Sequence, residues 1–375
     1  MLPALTLPPS LLALLVSFRP LVTAPSFRTS APWPPGPRPA GAADGLRDAH
    51  RCGAVAAWPH HRAHRFFSHA RWSAEDLGLA LAKLVAALLV PGGQPVTVAV
   101  DDTLVRRTGK KVHALGWFHD GSATGPHQVG PGNNGVIAAI VVRLPFLTRP
   151  AALPVLARLV HRDLKPAPAS RLVLARQMTA ALARVLPGRQ VHVAADAAYA
   201  GKELARLPAA VTWTTRLRKD AALYGLPGPR TGRRGRPRVK GQRLPSPALL
   251  AQTAISAPVT VRRYGRTATV QATALTCLWH GVFGARPAQV ILVRGHAATG
   301  YDIALATTGL AAAPAQVIER YASRRSAEVA VEDAKQIFGT GQARNRLPAA
   351  VHRTIPFTSP ARAWPCCGTP PPGTT

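Results

Sequence analysis

Five acidic residues are placed where their carboxylates could act together. The chain has 16 aspartates and glutamates against 47 lysines and arginines, so the position of each acid is informative. Asp101 and Asp102 follow one apolar run, and Asp196 follows another. Glu328 and Glu332 lie about one helical turn apart. Because crowded carboxylates raise one another's pKa, a cost that a bound divalent cation removes, these acids predict a site for Mg²⁺ or Mn²⁺.

The chemistry that such a site supports is phosphoryl transfer. Two divalent ions held by carboxylates can activate a water or a 3′-hydroxyl and stabilise the leaving oxygen in an in-line attack at phosphorus. Ordinary structural roles are the alternative. Asp101 and Asp102 could open a turn, Asp196 could cap the next helix, and Glu328 could be one member of a solvated ion-pair face.

Two predicted strands would position the aspartates. Residues 95–100 and 190–195 are apolar, β-branched runs typical of strands buried in a sheet. The carboxyl ends of neighbouring strands converge on one place in an open sheet, so we expect the aspartates to meet there. Further strands are predicted over residues 111–119, 136–144, 211–216, 259–277, 289–294 and 303–308, and helices over residues 11–25, 77–90, 170–186 and 200–206.

The glutamates lie in a stretch with one polar face. Residues 314–338 have helical periodicity and predict a single amphipathic helix. At roughly 100° per residue, five polar side chains fall within a sector of about 80°. They are Tyr321, Arg324, Glu328, Glu332 and Lys335. This stripe could be a solvated face or one wall of a site.

The composition limits the classes of partner. A formal net charge of +31 argues for a polyanion, and nucleic acid is favoured over a membrane surface. The same charge, with an aromatic content of 6%, argues against a carboxylate-pair glycosidase. The four cysteines form no CxxC pair, which is typical of a reducing cytoplasm. We expect no export signal and no membrane span.

Basic segments predict contacts with DNA. Residues 58–72 form a basic, aromatic stretch expected to pack on the DNA backbone, and His60 and His64 within it lack the neighbouring ligands that a zinc site requires. Arg234 and Arg236 lie in an Arg-Gly-Arg-Pro sequence that resembles a short minor-groove ligand, although a solvated basic loop is an equal alternative.

The polar face carries a family resemblance. The spacing Tyr321-x2-Arg324-x3-Glu328-x6-Lys335 resembles the Tyr-Arg-Glu-Lys signature of DDE transposases of the bacterial insertion sequence 4 type. The segments DDTLVRRTGK, HVAADAAYAGKEL, WTTRLRKDAALYG and GQARNRLPAAV are similar to the insertion sequence 701 group. The resemblance implies an α/β, RNase H-like mixed sheet flanked by helices, with a β-rich insertion before the last catalytic helix.

The resemblance also implies roles for individual residues. Asp102, Asp196 and Glu328 would be the catalytic, metal-binding triad, with Asp101 and Glu332 as the alternatives for the first and third acids. Tyr321, Arg324 and Lys335 would grip phosphates of the element end. The substrate would be double-stranded DNA, cut and joined at insertion-sequence ends by a homodimer in the bacterial cytoplasm, associated with the nucleoid.

The domain plan follows from these segments. The predicted divisions are an N-terminal helical segment (1–28), a Pro/Gly-rich linker or altered sequence (29–54), a helical DNA-binding segment (55–94), the first part of the core (95–217), a basic loop and β-rich insertion (218–300), the last part of the core (301–357) and a tail (358–375). The Pro/Cys-rich tail indicates truncated or out-of-frame coding. The alternative function is therefore a decayed, non-catalytic DNA-binding protein.

Overall fold

The computed structural model describes residues 18–21, 60–121, 123, 128–161, 169–229, 237–295, 301–337 and 339–358. Its helices are α1 (His60–Ser68), α2 (Ala74–Leu89), α3 (Arg171–Val185), α4 (Pro247–Thr253), α5 (His280–Phe283), α6 (Pro314–Ser323), α7 (Arg325–Gln336) and α8 (Pro348–Thr358). Its strands are β1 (Val96–Arg106), β2 (Gly116–His119), β3 (Val129–Val142), β4 (Ala151–Leu159), β5 (Val191–Ala195), β6 (Val211–Arg216), β7 (Ala257–Arg263), β8 (Arg266–Cys277), β9 (Ala288–Arg294) and β10 (Ile303–Thr307).

All ten strands of the described residues join one mixed sheet. β1 pairs antiparallel with β3 and parallel with β5, and β5 pairs parallel with β6. β2 and β4 both pair with the other edge of β3, β2 with its first residues and β4 with the rest, and the order across the centre of the sheet is β4-β3-β1-β5-β6. The sheet continues from β6 through β10, β9, β8 and β7, all antiparallel. The predicted mixed, helix-flanked, RNase H-like architecture is confirmed.

Helices cover both faces of the sheet. On one face, α2 and α3 bury Leu81 and Met178 against alternate β1 residues such as Val98 and Val100. On the other face, α7 packs Ala327 and its neighbours against β1 and β3, α8 packs beside it, and α6 covers the β7 end. Successive side chains of one strand therefore enter different layers of the protein.

The strand that carries the paired aspartates is longer than predicted. We expected it to end at residue 100 and to deliver Asp101 and Asp102 at its carboxyl end. It continues to Arg106, so both aspartates lie inside the strand. Its pairing with β3 continues through both positions, with Asp101 opposite Ile137 and Asp102 opposite Val136. The predicted end of β1 was wrong because the strand is extended by its long antiparallel pairing with β3, which local sequence does not indicate.

Strand β4 was not predicted. Pro154 interrupts its sequence, and proline removes a backbone donor from a strand interior. The structure accommodates this proline at a register shift, where Pro154 and Leu156 pair with Ala139 and Ala138 and leave one residue between them unpaired. A proline at a bulge is compatible with a strand, which the sequence alone does not reveal.

The predicted 314–338 helix is divided in two. α6 ends at Ser323 and α7 begins at Arg325, with Arg324 at the junction. Two serine hydroxyls donate to main-chain carbonyls here: Ser323 to the oxygen of Arg320, and Ser326 to that of Ser323, each at 2.7 Å. Such side-chain bonds compete with the regular helical ladder, which accounts for the tightened turn.

The predicted β-rich insertion forms strands that extend the main sheet. β7, β8 and β9 run antiparallel and reach β6 through β10. Two short helices in this region, α4 and α5, were not predicted. Within the described ranges, no helix combines the length and apolar character needed to cross a membrane.

Several predictions fall outside the described residues. These are the linker at 29–54, the side chains of Arg234 and Arg236, the tail beyond residue 358, and most of the N-terminal helical segment.

Candidate active site

Asp101 and Asp102 point to opposite faces of the sheet. Adjacent residues of a strand alternate between faces, and both lie within β1. Asp101 shares its face with Ala99, which packs against Ala327 of α7. Asp102 shares its face with Val100, in the layer below α2 and α3. The two neighbouring carboxylates therefore belong to different environments.

The Asp102 carboxylate is fully engaged in a structural network. Arg171, at the start of α3, donates to both of its oxygens at 2.9 and 3.1 Å. Tyr199 donates its hydroxyl at 3.0 Å, and the buried Asn134 donates its amide at 3.0 Å. Burial, together with this carboxylate, raises the pKa of Tyr199 well above its ordinary value, which keeps the phenol protonated as a donor. These contacts tie α3, β1 and β3 together on the face opposite α7.

The Asp101 carboxylate faces α7 and is only partly compensated. One oxygen accepts the Asp102 backbone N–H at 2.9 Å, and the other faces the Arg324 guanidinium at 3.3 Å. Burial raises the pKa of Asp101 to about 6, and the negative charges of Asp102 and Glu328 add to this effect. Arg324 opposes the rise without cancelling it.

Arg324 bridges two candidate acids from the break between α6 and α7. Its guanidinium lies 3.3 Å from Asp101 and donates to Glu328 at 2.7 Å. The Arg324 side chain is 16% exposed and that of Glu328 is 44% exposed, so the bridge runs from the sheet towards solvent. Two acids from distant parts of the chain thus share one cationic group.

Asp196 lies on the same face as Asp101. β1 and β5 are parallel, with Ala99 level with Ala194. Asp101 lies two residues further along β1, and Asp196 is the first residue after β5. One Asp196 oxygen accepts the backbone N–H of Ala198 at 2.7 Å and caps a short 3₁₀-helix. The negative charge of Asp196 also helps to raise the pKa of Arg324. Asp196 therefore lies close to Arg324 as well as capping the 3₁₀-helix.

The other residues of the predicted polar stripe lie at different distances from Asp101 and Arg324. Tyr321 is half-buried, and its ring centre lies 5.9 Å from the Arg324 guanidinium. Glu332 is exposed and accepts a hydrogen bond from Gln336 at 2.9 Å, one turn beyond Glu328. Lys335 lies further along α7, where burial lowers its pKa and Asp120 partly restores it. The structure therefore brings Tyr321 and Arg324 to the acids, and places Lys335 beside Asp120.

The structure forms a basic groove near Lys335 that no sequence pattern predicts. A cavity of about 570 Å³ is lined in part by Arg106, Arg107 and Arg344. The Arg107 Nε is buried and has no hydrogen-bond partner among the described residues. Burial and the neighbouring Arg344 lower the pKa of Arg107 to about 10. An excess of arginine with an unsatisfied donor suits phosphate oxygens. Arg106 and Arg107 are adjacent in the sequence, but Arg344 lies far along the chain, so no local pattern predicts that the three line one groove.

A comparison with protein families identifies the superfamily of the chain. A sequence model described as DDE superfamily endonuclease matches residues 52–282. The chain belongs to the DDE superfamily of endonucleases. No curated protein matches it at a significant level. The family assignment implies a transposase-like nuclease with DNA as its substrate class, and DDE endonucleases generally use divalent metals.

The acids of this DDE chain fit a divalent cation. The donors on the α7 face are carboxylate oxygens, the ligand type that Mg²⁺ and Mn²⁺ prefer. Asp101 and Glu328 already share one cationic group, Arg324, which shows that their carboxylates can converge on positive charge. The raised pKa of Asp101 marks a carboxylate whose ionised form lacks compensation. The Asp102 side chain, in contrast, points to the opposite face, where its carboxylate accepts hydrogen bonds from Arg171, Tyr199 and Asn134.

Proposed function

We propose that this chain is a DNA transposase of the insertion sequence 4 superfamily, similar to the insertion sequence 701 group. It would cleave and join DNA at the ends of its element. The convergence of Asp101, Asp196 and Glu328 around Arg324 in a DDE-superfamily chain is the observation that carries the proposal. The Tyr-Arg-Glu-Lys spacing supports the finer assignment.

The proposed triad is Asp101, Asp196 and Glu328. The resemblance favoured Asp102 as the first acid, but its side chain is directed to the α3 network. Glu332 is the weaker choice for the third acid because its described partner is Gln336, further along the same helix. The three carboxylates would hold Mg²⁺ or Mn²⁺, which supplies activation of the attacking oxygen and stabilisation of the leaving oxygen.

The residues around the triad would hold the DNA. Arg324, which now faces Asp101 and Glu328, would donate to a phosphate oxygen when the carboxylates hold a metal ion. Tyr321 offers a hydroxyl beside it, and burial raises the pKa of this phenol, so it remains a donor at neutral pH. Lys335 and the groove lined by Arg107 and Arg344 continue the positive surface for the backbone away from the cleaved bond.

The proposed setting follows from the substrate. Double-stranded DNA of the element ends and of the target would be bound by a homodimer, in the bacterial cytoplasm and associated with the nucleoid. The formal charge of +31 supports a polyanionic partner.

A cleavage assay with matched acid variants tests the proposal. The full chain would be incubated with labelled element-end DNA and Mg²⁺ or Mn²⁺. We expect Asp101→Asn and Glu328→Gln to abolish cleavage, and Glu332→Gln to cleave like the parent. Asp102→Asn should retain cleavage at a temperature where it is folded, although loss of a charged acceptor for Arg171 should lower the free energy of unfolding by about 1–3 kcal/mol. Parent-like cleavage by Asp101→Asn would refute the assignment of the first acid.

The alternative function is a decayed, non-catalytic DNA-binding protein. It predicts salt-sensitive DNA binding by the parent with no metal-dependent cleavage, and the same result for every acid variant.

A further inference from the structure

Three histidines meet away from the acid site. His113 precedes β2, His161 follows β4, and His352 lies on α8. Their nearest ring nitrogens all lie within 4.8 Å of one another. The Nε2 atoms of His113 and His352 are 3.2 Å apart, close to the roughly 3.3 Å that separates two nitrogens bound tetrahedrally to one zinc ion.

Among the described residues, one buried ring nitrogen of this cluster makes no hydrogen bond. The Nε2 of His161 is buried and makes no hydrogen bond within the described part of the chain. Its ring stacks on that of His352, with centroids 4.8 Å apart, and meets that of His113 edge-on at 5.1 Å. A buried polar nitrogen without a partner is costly unless something supplies a bond. A metal ion would supply it.

Hydrogen bonds hold the backbone at two of the histidines. Asn133 of β3 donates its amide to the carbonyls of His113 and Ala114, each at 2.9 Å. The backbone N–H of His113 donates to the carbonyl of Arg346, just before α8. The backbone N–H of Val160, next to His161, donates to the carbonyl of Asn134. These contacts fix the backbone at His113 and next to His161 without using a ring nitrogen.

Burial favours the neutral form of two of these rings, His161 and His352. Burial, with the neighbouring histidines, lowers the pKa of His161 and lowers that of His352 to about 4. Neutral imidazoles are the ligating form. Glu75, which lines the same cavity of about 450 Å³, is held by Arg158 at 2.6 Å, so the histidines would be the ligands and the cavity would admit water as the fourth.

We propose that His113, His161 and His352 bind a borderline divalent transition-metal ion such as Zn²⁺. Imidazole nitrogen is a preferred ligand of this class of ion, whereas Mg²⁺ prefers the oxygens of the acid site. The ion would join the loop before β2, the end of β4 and α8. Through α8 it would also hold α1, because Arg353 donates to the carbonyls of Phe67 and Trp72.

Metal binding by the full chain tests this site. The protein would carry Asp101→Asn and Glu328→Gln to remove the acid site, be freed of metal with a chelator, and then be titrated with Zn²⁺ by calorimetry and with Co²⁺ by visible absorption. We expect one equivalent to bind, with the absorption of tetrahedral Co²⁺. His113→Gln and His352→Gln should each weaken binding by about tenfold or more, since each removes one of three protein ligands.

The controls separate this site from adventitious binding. His280→Gln removes a histidine on α5, outside the cluster, and should bind like the parent. His161 is partly buried and its variant could misfold, so the test substitutes His113 and His352 instead. Circular dichroism of the metal-free proteins confirms that each variant is folded. In the protein that carries only the two acid-site substitutions, hydrogen exchange in α8 should slow when Zn²⁺ is added. Absence of binding, or parent-like binding by both His113→Gln and His352→Gln, would overturn the proposal.

Discussion

At the scale of single residues, Arg324 has the most unusual position. It lies at the break between α6 and α7, where its guanidinium contacts both Asp101 and Glu328. A guanidinium in this position offsets the repulsion between two carboxylates while no metal is bound. In the proposed site, Arg324 would be available to donate to a phosphate oxygen when the acids hold a metal ion.

Arg324→Ala tests this exchange. We expect the variant to bind Mn²⁺ in the absence of DNA more tightly than the parent, by about fivefold or about 1 kcal/mol, because the ion no longer competes with a guanidinium. Cleavage of element-end DNA should nevertheless fall. Electron paramagnetic resonance of free Mn²⁺ measures the first effect. Arg325→Ala is the matched control, since Arg325 is exposed and stacks on Tyr264; equal Mn²⁺ affinities in all three proteins would contradict the exchange.

At the scale of elements, the close approach of α2 to β4 depends on a glycine. A Cβ at Gly78 would collide with the carbonyl oxygen of Val155, which belongs to strand backbone and cannot move aside cheaply. Gly78→Ala should therefore lower the free energy of unfolding by about 1–3 kcal/mol, despite the higher helix propensity of alanine. Urea denaturation measures it. Gly92→Ala, where the added Cβ meets nothing within 4 Å, should differ from the parent by less than about 0.5 kcal/mol.

The packing of α6 on β5 makes folding sensitive to acid. His192 lies below α6, where burial and the charge of Arg320 lower its pKa to about 4. The unfolded chain takes up this proton near pH 6.5, so the contribution of neutral His192 to stability is present above that pH and is lost as the pH falls towards 4.

His192→Gln should therefore lose less stability on acidification. Between pH 7.5 and pH 5, we expect its free energy of unfolding to fall by about 1–2 kcal/mol less than that of the parent. Urea titrations at both pH values measure the difference, with His280→Gln as the control for removing a histidine elsewhere. Identical pH dependence in the parent and His192→Gln would show that His192 is not buried as a neutral group.

At the scale of the whole molecule, positive charge is expected to dominate DNA affinity. Arg344 lines the basic groove on the side of the sheet near α7, while Arg184 is exposed on α3, across the sheet. Arg344→Ala should reduce the slope of log affinity against log salt concentration by about 1, the loss of one phosphate contact. Arg184→Ala should leave the slope unchanged. Fluorescence anisotropy over a salt series measures both, and equal slopes in the two variants would refute the groove as a DNA surface.

The sequence by itself determined the α/β fold class and the membership of the DDE superfamily. Local periodicity located most strands and helices, and the scarcity of acids made Asp101, Asp102, Asp196 and Glu328 conspicuous in a basic chain. The signature spacing pointed to the DDE superfamily, which the family match confirms. These properties are encoded in neighbouring residues, so they can be identified without a fold.

Only the tertiary structure decided which carboxylates face one another. β1 is buried on both faces, so its sequence lacks the alternation of apolar and polar residues that would assign Asp101 and Asp102 to their layers. The partners of Asp102 come from residues 134, 171 and 199, and the three histidines come from positions 113, 161 and 352. Such contacts arise from long-range packing, which no local pattern records.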